Sequence, residues 1–276
     1  MIVFPNCKIN LGLNILRKRE DGFHDLETVF FPLPLRDIVE IIELKKTTSE
    51  GITLLKSGFE IAGENNICIK AYDLLKKRFP HIPAVQMHLH KAIPVGGGLG
   101  GGSADGAFAL MLLNEMFGLA PSKEELRKMG AELGSDCPFF IINKPCFSQG
   151  RGELLEEIEV DLSAFKFIIV NPGIHIDTGD MFKQIKPAIP KTSLREIINL
   201  PVEKWKDEMK NDFEEIVFAL HPEIGNVKEE LYKAGAVYAS MSGSGSTVFG
   251  IFSKERSTSF SFPPDYFIKE LTGQAT

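Results

Sequence analysis

Cysteine is scarce in this chain of 276 residues: the only four are Cys7, Cys68, Cys137 and Cys146, and no two of them form a C-x-x-C pair. Four cysteines far apart in the sequence suggest neither a structural zinc site nor a disulfide framework, and buried free thiols are expected. Long apolar runs are also missing, and none approaches the roughly 20 residues that a bilayer span needs. Residues 1–5 lack a basic segment followed by an apolar one, so we expect a cytoplasmic protein without a membrane partner.

Positive charge is in deficit as well. Lys and Arg number 31 against 37 Asp and Glu, which gives a formal net charge of −6, and no dense basic stripe occurs. This composition argues against nucleic acid as a partner. The length fits one large or two modest domains. We expect a small-molecule substrate, with the protein a monomer or weak homodimer.

Glycine, in contrast, is concentrated in one place. Six of the seven residues 96–102 are glycine, between an alternating apolar run at 85–89, which predicts a strand, and a periodic apolar run from Ala107, which predicts a helix. Glycine allows positive φ and a close approach of backbone N–H groups to a ligand, and a helix N-terminus adds partial positive charge, so the expected ligand is a phosphate. No Gly-Lys-Ser/Thr closes the loop, which excludes a Walker motif, and the acidic residue of a dinucleotide fingerprint is missing. A flexible linker is the alternative.

The segment Pro94-x-Gly-Gly-Gly-Leu-Gly-Gly-Gly-Ser103 resembles the nucleotide-binding loop of the GHMP kinases, small-molecule kinases named for galactose, homoserine, mevalonate and phosphomevalonate. Within that family it is most similar to the diphosphocytidyl-methylerythritol kinases of the non-mevalonate isoprenoid pathway. Lys91, just before the loop, is placed to meet a nucleotide. Asn65 or Asn66 is suited to N-cap the next upstream helix, and the equivalent asparagine in the family lies near the adenine, although capping alone explains it. The candidate ATP-binding residues are Asn65, Lys91, Pro94, Val95, Gly96, Gly97, Gly98, Leu99, Gly100, Gly101, Gly102, Ser103 and Ala104.

Polar and apolar residues alternate in the strand predicted at 6–15, so that Lys8 and Asn10 share one face. On the residues alone, a solvated strand face is the favoured interpretation. The run Pro5-x-x-Lys8-x-Asn10-Leu11 resembles the first motif of the family, which implies that Lys8 lies beside the catalytic aspartate and that Asn10 reaches the substrate.

Residues 19–25 are polar and contain Gly22, so a loop is predicted. A histidine beside an aromatic residue is more often a packing pair than a ligand. The segment Asp21-Gly22-Phe23-His24 nevertheless resembles one that is specific to the diphosphocytidyl-methylerythritol kinases. The resemblance implies that Phe23 stacks on cytosine and that His24 hydrogen-bonds with the edge of the base.

A capping box at Ser122 predicts a helix that ends before Gly134. Asp136 follows, and turn chemistry alone would explain an aspartate there. The segment Gly134-Ser135-Asp136-Cys137-Pro138-Phe139-Phe140 resembles a family motif in which this aspartate is the catalytic base.

The second half is predicted to hold a buried strand at 165–170, helices from Ser193 and at 213–220 and 224–234, paired strands at 237–241 and 247–252, and a last strand near 266–271. Residues 171–182 resemble the substrate loop of the family, so that Thr178 and Phe182 are candidates for the cytidine pocket; core packing is the alternative for Phe182. Residues 242–246 resemble the third motif, represented by Gly243, Ser244 and Gly245, although a plain Gly/Ser turn would also explain them.

The resemblance implies an α+β fold of the α/β sandwich type, the two-lobed GHMP kinase fold. Its N-terminal lobe, residues 1–150, is expected to be ribosomal-protein-S5-like and to bind ATP, and its C-terminal lobe, residues 151–276, to be ferredoxin-like.

The implied activity is ATP-dependent phosphorylation of the 2-hydroxyl of diphosphocytidyl-methylerythritol, with Asp136 as base, Lys8 beside it, and ATP and Mg²⁺ as cofactors. One departure concerns the metal: the chain has Ser103-Ala104-Asp105-Gly106 where the family commonly has Ser-Ser-Asn-Ala. A carboxylate near phosphates is unfavourable unless it faces Mg²⁺ or solvent, so Ser103 is the preferred Mg²⁺ ligand. The alternatives are another GHMP kinase, acting on homoserine or mevalonate, and a non-catalytic nucleotide sensor.

Overall fold

The computed structural model describes residues 1–44, 51–61, 63 and 65–275. Their strands are β1 Ile2–Val3, β2 Asn6–Lys18, β3 His24–Arg36, β4 Ile38–Glu43, β5 Ile52–Gly58, β6 Val85–Lys91, β7 Cys146–Gln149, β8 Leu154–Glu157, β9 Phe165–Asn171, β10 Tyr238–Met241, β11 Val248–Ser253 and β12 Phe267–Thr272. Their helices are α1 Ile67–Arg78, α2 Gly101–Phe117, α3 Lys123–Leu133, α4 Cys137–Ile142, α5 Thr178–Gln184, α6 Leu194–Ile197, α7 Val202–Glu208, α8 Phe213–Leu220 and α9 Pro222–Lys233.

The described chain forms two compact units. The first unit contains Met1–Cys7, Leu35–Val95 and Gly100–Asn143, and the second contains Lys8–Pro34, Gly96–Leu99 and Lys144–Thr276. The chain leaves the first unit for the last time after Asn143, close to the predicted boundary at residue 150. The prediction of functional lobes at 1–150 and 151–276 stays a prediction, and it did not foresee that 8–34 and 96–99 pack with the second unit.

The first unit is a four-stranded sheet in the order β1-β4-β6-β5 together with α1 to α4. β4 pairs with β6 antiparallel and β5 pairs with β6 in parallel, so α1 provides the crossover that parallel neighbours need. On β6, Val85, Met87 and Leu89 are buried, while His88 and His90 alternate with them on the other face. This arrangement confirms the predicted strand and its two faces.

The second unit has two four-stranded sheets, in the orders β10-β11-β9-β12 and β2-β3-β7-β8. An apolar cluster of this unit joins the first of these sheets, through residues such as Ile168 and Val170, to α8 and α9, through residues such as Val217 and Ile224. The strands and helices predicted for the second half are confirmed, including β12 as the last strand, which pairs with β9.

The elements that were not predicted are β1, β3, β7, β8, α4, α5 and α7, and β7 lies in a stretch, residues 145–153, that was expected to be turn-rich. β3 runs through Pro32 and Pro34, and proline within an apolar run argues against a strand when only the sequence is read. α4 and α5 are too short for a helical apolar period to be recognised. A turn is also predicted at 45–51, and all of it except Gly51 lies outside the described residues.

No helix among the described residues has both the length and the apolar character required to cross a membrane.

Candidate active site

Residues 96–99 of the glycine loop belong to the second unit, where their backbone is held by hydrogen bonds. The carbonyl oxygen of Gly98 accepts from Lys8 Nζ at 3.2 Å and from Ser242 Oγ at 2.9 Å. The carbonyl oxygen of Gly97 accepts from the backbone N–H of Thr247 at 3.2 Å. The first motif, the loop and the third motif are therefore linked within this unit, which argues against a flexible linker.

Two of these glycines are required by their surroundings. Gly98 has a φ of +78°, and a Cβ there would lie 2.0 Å from the carbonyl oxygen of Ser242. A Cβ on Gly97 would lie 2.5 Å from Asn171 Nδ2 and 2.6 Å from Thr247 Oγ1. A larger residue at either position would displace the loop from its supports.

Lys8 and Asn10 do not form the solvated strand face that the alternation favoured, because β2 is covered on both faces. Their side chains are buried, at 4% and 2% exposure. Lys8 Nζ donates to Asn10 Oδ1 at 2.7 Å and lies 5.0 Å from the centre of the Phe30 ring. Asn10 Nδ2 in turn donates to Thr28 Oγ1 at 2.9 Å, and that hydroxyl donates to the Gly12 carbonyl at 2.6 Å. This network fixes a buried ammonium at the glycine loop.

The third motif is a tight turn supported by one asparagine. Asn211 Nδ2 donates to the carbonyls of Met241 and Gly243, at 2.8 and 2.7 Å. Gly245 has a φ of +94°, which favours glycine. The hydroxyl of Ser244 lies 2.6 Å from the Thr178 hydroxyl, at the start of α5.

His24 stacks on Phe182, with ring centroids 5.1 Å apart and an angle of 22° between the planes. Phe182 also meets Phe213 edge to face at 5.0 Å and packs against the core. Burial, together with the positive charge of Lys18, lowers the pKa of His24 below its usual value of 6.5. The imidazole is therefore neutral near pH 7 and offers one donor and one acceptor nitrogen.

Phe23 lies at the tip of the β2–β3 connection and is 49% exposed. The guanidinium of Arg151 lies over its ring, 3.7 Å from the centroid. Asp21 Oδ1 accepts from the backbone N–H of Phe23 at 3.1 Å, and Arg19 pairs with Asp21 and Asp25. These contacts support the loop, and Phe23 remains half exposed at its tip.

In the first unit, the chain re-enters at Gly100, the N-cap of α2, with a φ of +70°. α2 is 17 residues long, and its first N–H groups and its dipole favour an anion at this end. A Cβ on Gly102 would meet no atom within 4 Å, so the surface there is open. Val95 and Gly96 are also exposed, whereas Pro94, Leu99 and Ala104 are buried.

Lys91 does not extend into solvent. Its side chain is 3% exposed and its ammonium donates to Asp37 and, at 2.7 Å, to Asp105. Asp105 therefore faces neither solvent nor an open surface, contrary to the arrangement its charge led us to expect. Burial and the neighbouring Asp37 raise the pKa of Asp105 to about 8, against the opposing effect of Lys91.

Asp136 occupies the N-cap position of α4, but its side chain does not cap that helix. It is half-buried, and Pro138 follows near the start of the helix. The neighbouring Cys137 thiol hydrogen-bonds with the Ser103 hydroxyl, and burial raises the pKa of that thiol to about 12. Asn66, not Asn65, caps α1, through a 2.8 Å bond from Cys68 N. Asn65 is exposed, and its nucleotide contact stays a prediction.

Mg²⁺ prefers oxygen ligands and usually binds through one or two carboxylates and substrate phosphates. In the part of the chain that the structure describes, no group of three or more His, Cys, Asp or Glu is arranged to hold a metal ion. The Ser103 hydroxyl is half-buried at the start of α2, and the nearby carboxylate of Asp105 is taken by Lys91. This donor set fits a Mg²⁺ that arrives with the phosphates of ATP and takes a single hydroxyl from the chain.

Reasoning from the sequence missed several supporting residues, among them Asp37, Thr28 and Asn211. All three are buried polar side chains. Asp37 lies in the β-rich run 36–44, which predicts only a strand and carries no motif, and its side-chain partners lie 54 to 56 residues away. A buried polar residue is recognisable as such only when its partner is known.

Two family models match the chain: the GHMP kinases N terminal domain over residues 66–144 and the GHMP kinases C terminal domain over residues 187–260. A protein of Bacteroides fragilis named 4-diphosphocytidyl-2-C-methyl-D-erythritol kinase is 52% identical over 257 residues, which are 92% of this chain and 93% of the relative. A protein of Parabacteroides distasonis with the same name is 48% identical over 256 residues, 92% of each chain.

Among solved structures, a 4-(cytidine 5'-diphospho)-2C-methyl-D-erythritol kinase superimposes with a TM-score of 0.79 at 26% identity, over 99% of this chain and 100% of the other. A mevalonate kinase matches with a TM-score of 0.71 at 14% identity, over 93% and 92% of the two chains, which shows a common fold. With both domain models and close relatives along nearly its whole length, the chain belongs to the GHMP kinase family.

Proposed function

We propose that this protein transfers the γ-phosphoryl group of ATP to the 2-hydroxyl of 4-diphosphocytidyl-2-C-methyl-D-erythritol and releases ADP. The observation that carries the proposal is the stacked pair of His24 and Phe182 in the same unit as the exposed ring of Phe23. It occurs in a small-molecule kinase whose relatives at 52% and 48% identity are named for this substrate.

These three rings suit a pyrimidine nucleotide. A cytosine ring is flat and polar at its edge, so it binds well against an aromatic ring and beside groups that donate and accept hydrogen bonds. Because His24 is neutral, it can accept a hydrogen bond from the amino group of the base or donate one to its carbonyl. Homoserine and mevalonate contain no aromatic base that could stack on these rings.

The transfer needs a base, because a hydroxyl is a weak nucleophile at neutral pH. In the proposed reaction, the oxygen of the 2-hydroxyl bonds to the γ-phosphorus while Asp136 accepts the proton of that hydroxyl. The bond between the γ-phosphorus and the oxygen that bridges the β- and γ-phosphates breaks, and ADP leaves. General-base catalysis of this kind is typically worth about 10²–10⁴ in rate. Lys8, whose ammonium is already desolvated, stabilises negative charge that develops on the transferred group.

The glycine loop positions the phosphates. Its backbone N–H groups and the N-terminus of α2 bind the phosphate oxygens, and the rigid supports of Gly97 and Gly98 avoid the cost of ordering the loop at each turnover. Ser103 is the candidate protein ligand for Mg²⁺, which would neutralise phosphate charge when bound.

The test is ADP release from Mg-ATP by the purified protein with diphosphocytidyl-methylerythritol, homoserine, mevalonate or galactose as acceptor. Turnover with the cytidyl compound alone supports the proposal. Turnover with another alcohol instead would overturn the substrate, and nucleotide binding without any turnover would indicate a sensor.

The role of Asp136 is tested by Asp136→Asn, with Asp73→Asn on the exposed face of α1 as a matched control in the same unit. We expect the first variant to lose about 10²–10⁴ in kcat while its thermal unfolding is unchanged. Asp73→Asn should keep wild-type turnover. Near wild-type turnover by a folded Asp136→Asn would show that Asp136 is not the base.

A further inference from the structure

Asp37 is a buried carboxylate between β3 and β4 that the reaction does not use directly. Its side chain is completely buried. One oxygen accepts from the backbone N–H groups of Ala92 and Ile93, at 2.6 and 2.9 Å, and the other accepts from the ammonium of Lys91. A single carboxylate thus binds three consecutive residues immediately before Pro94, where the glycine loop begins.

These bonds replace the pairing that the strand loses. β6 ends at Lys91, so the next two N–H groups have no strand partner, and a buried N–H without a partner is costly. Asp37 itself is anchored, because its backbone N–H donates to the Pro5 carbonyl at 2.8 Å. The start of the loop is therefore fixed by the first unit.

The ammonium of Lys91 extends this support to the other end of the loop. It donates to Asp105 in the second turn of α2, and a Cβ on Gly101 would lie 3.1 Å from its Nζ. The ion cluster of Asp37, Lys91 and Asp105 consequently ties the end of β6 to the start of α2. Both ends of the loop that binds phosphate are attached to one buried group of charges.

The same cluster changes the role of the lysine. Two carboxylates surround one ammonium, and all three side chains are at most 3% exposed, so Lys91 has no excess positive charge to offer a nucleotide. Its effect on ATP acts through the backbone that it holds. This differs from the direct nucleotide contact that its place in the sequence indicated.

We propose that Asp37 is a positioning residue for ATP: together with Lys91 and Asp105 it sets the path of the glycine loop on which the phosphates bind. This inference rests on the proposed function in that it takes the loop to be the phosphate-binding element. A displacement of about 1 Å in such a loop is sufficient to cost up to 10²-fold in rate.

The test compares Asp37→Asn with Glu40→Gln, a neutralised carboxylate three positions further along, on the half-buried face of β4. Asp37→Asn should raise the KM for ATP about 10- to 100-fold and leave the KM of the acceptor alcohol unchanged. Glu40→Gln should match the wild type in both. A role in folding alone would lower kcat with the fraction of folded protein and leave the KM for ATP as it was, which would overturn the proposal.

Asp37→Glu and hydrogen exchange keep the proposal testable if Asp37→Asn does not fold. The glutamate retains the charge but moves the carboxylate by one methylene, so a smaller rise in the same KM is expected. In the wild-type protein, the amides of Ala92 and Ile93 should exchange more slowly than those of Gly96 and Gly102. Equal exchange rates would contradict the anchoring.

Binding of a fluorescent ADP analogue, without any acceptor, separates this inference from the proposed substrate. If the wild type binds the analogue but does not phosphorylate the cytidyl compound, the substrate is wrong, and weaker binding by Asp37→Asn still supports the positioning role. If the folded variant binds the analogue as tightly as the wild type, the positioning role is wrong whatever the acceptor. No binding by the wild type would overturn both.

Discussion

The ammonium of Lys8 donates a hydrogen bond to the carbonyl oxygen of Gly98, 3.2 Å away. This bond attaches the first motif, on β2, to the middle of the glycine loop. The same ammonium donates to Asn10. A buried cation in this position serves both to hold the loop and to meet negative charge.

The first prediction follows from that pair. Lys8→Gln removes the charge but keeps a side chain able to donate to Gly98, and we expect kcat to fall by about 10²–10³ with a smaller change in the KM for ATP. The matched control is Lys144→Gln, whose ammonium is exposed and pairs with Glu157. Steady-state kinetics of both variants test this prediction. Equal losses of kcat in Lys8→Gln and Lys144→Gln would contradict a specific role for Lys8.

Two glycines of the loop should respond in opposite ways to the same substitution. Gly98→Ala places a methyl group 2.0 Å from the Ser242 carbonyl at a φ of +78°, so a loss of stability of about 1–3 kcal/mol is expected in chemical denaturation. Gly102→Ala meets no protein atom and should unfold at or above the wild-type temperature, yet bind ATP more weakly because the methyl group fills the space left for phosphate. If Gly102→Ala binds ATP as tightly as the wild type, the phosphates do not bind beside Gly102.

Phe23 and Phe182 differ in burial, so their substitution by alanine should have different effects on stability. Phe23→Ala should raise the KM of the cytidyl substrate without changing the melting temperature, because Phe23 is 49% exposed. Phe182→Ala should raise the same KM and also lower stability by about 1–3 kcal/mol, since its ring packs on Phe213 and the core. Calorimetry and kinetics on both variants check this. If Phe182→Ala is less stable but keeps the wild-type KM for the cytidyl substrate, Phe182 serves only core packing, which is the alternative given in the sequence analysis.

The pH dependence of binding should report on His24. Burial lowers its pKa below 6.5, so the neutral ring is the form that folding favours. The unfolded chain then binds more protons in the window between the lowered pKa and 6.5, and the stability contributed by His24 is present above that window and lost as the pH falls through it. The KM of the cytidyl substrate should be constant above pH 6.5 and rise as the pH falls through the lowered pKa of His24 in the folded protein.

His24→Gln is the control for this titration, because an amide keeps a donor and an acceptor but binds no proton. We expect the variant to lose the rise in KM at acidic pH. If the rise persists in His24→Gln, another group causes it.

The sequence predicted the glycine loop and its flanking strand and helix because those signals are local. Glycines, an apolar alternation at 85–89 and a capping box at Ser122 each act within a few residues, and all three features are present in the structure. The resemblance to the GHMP kinases supplied the order of the motifs, and the family is confirmed.

What the sequence concealed depends on contacts between distant residues. The alternation at Lys8 and Asn10 is the same for a solvated face as for a buried polar network, and only the presence of Thr28 and the Gly98 carbonyl distinguishes them. Similarly, the sequence indicates that Asp105 is a charge near phosphate, whereas in the structure its carboxylate accepts a hydrogen bond from Lys91 at 2.7 Å. Patterning reports polarity, whereas burial is decided by the partners.

The most direct test of the central claim is phosphorus NMR of the product formed from ATP and diphosphocytidyl-methylerythritol. The 2-hydroxyl is tertiary, so its carbon bears no hydrogen and a phosphate ester formed there has no three-bond coupling to a proton. We predict a new monoester resonance without proton coupling, formed together with ADP and formed about 10²–10⁴ times more slowly by Asp136→Asn. A resonance split by one or two neighbouring protons, or ADP formation without a new ester, would contradict the proposed phosphorylation of the 2-hydroxyl.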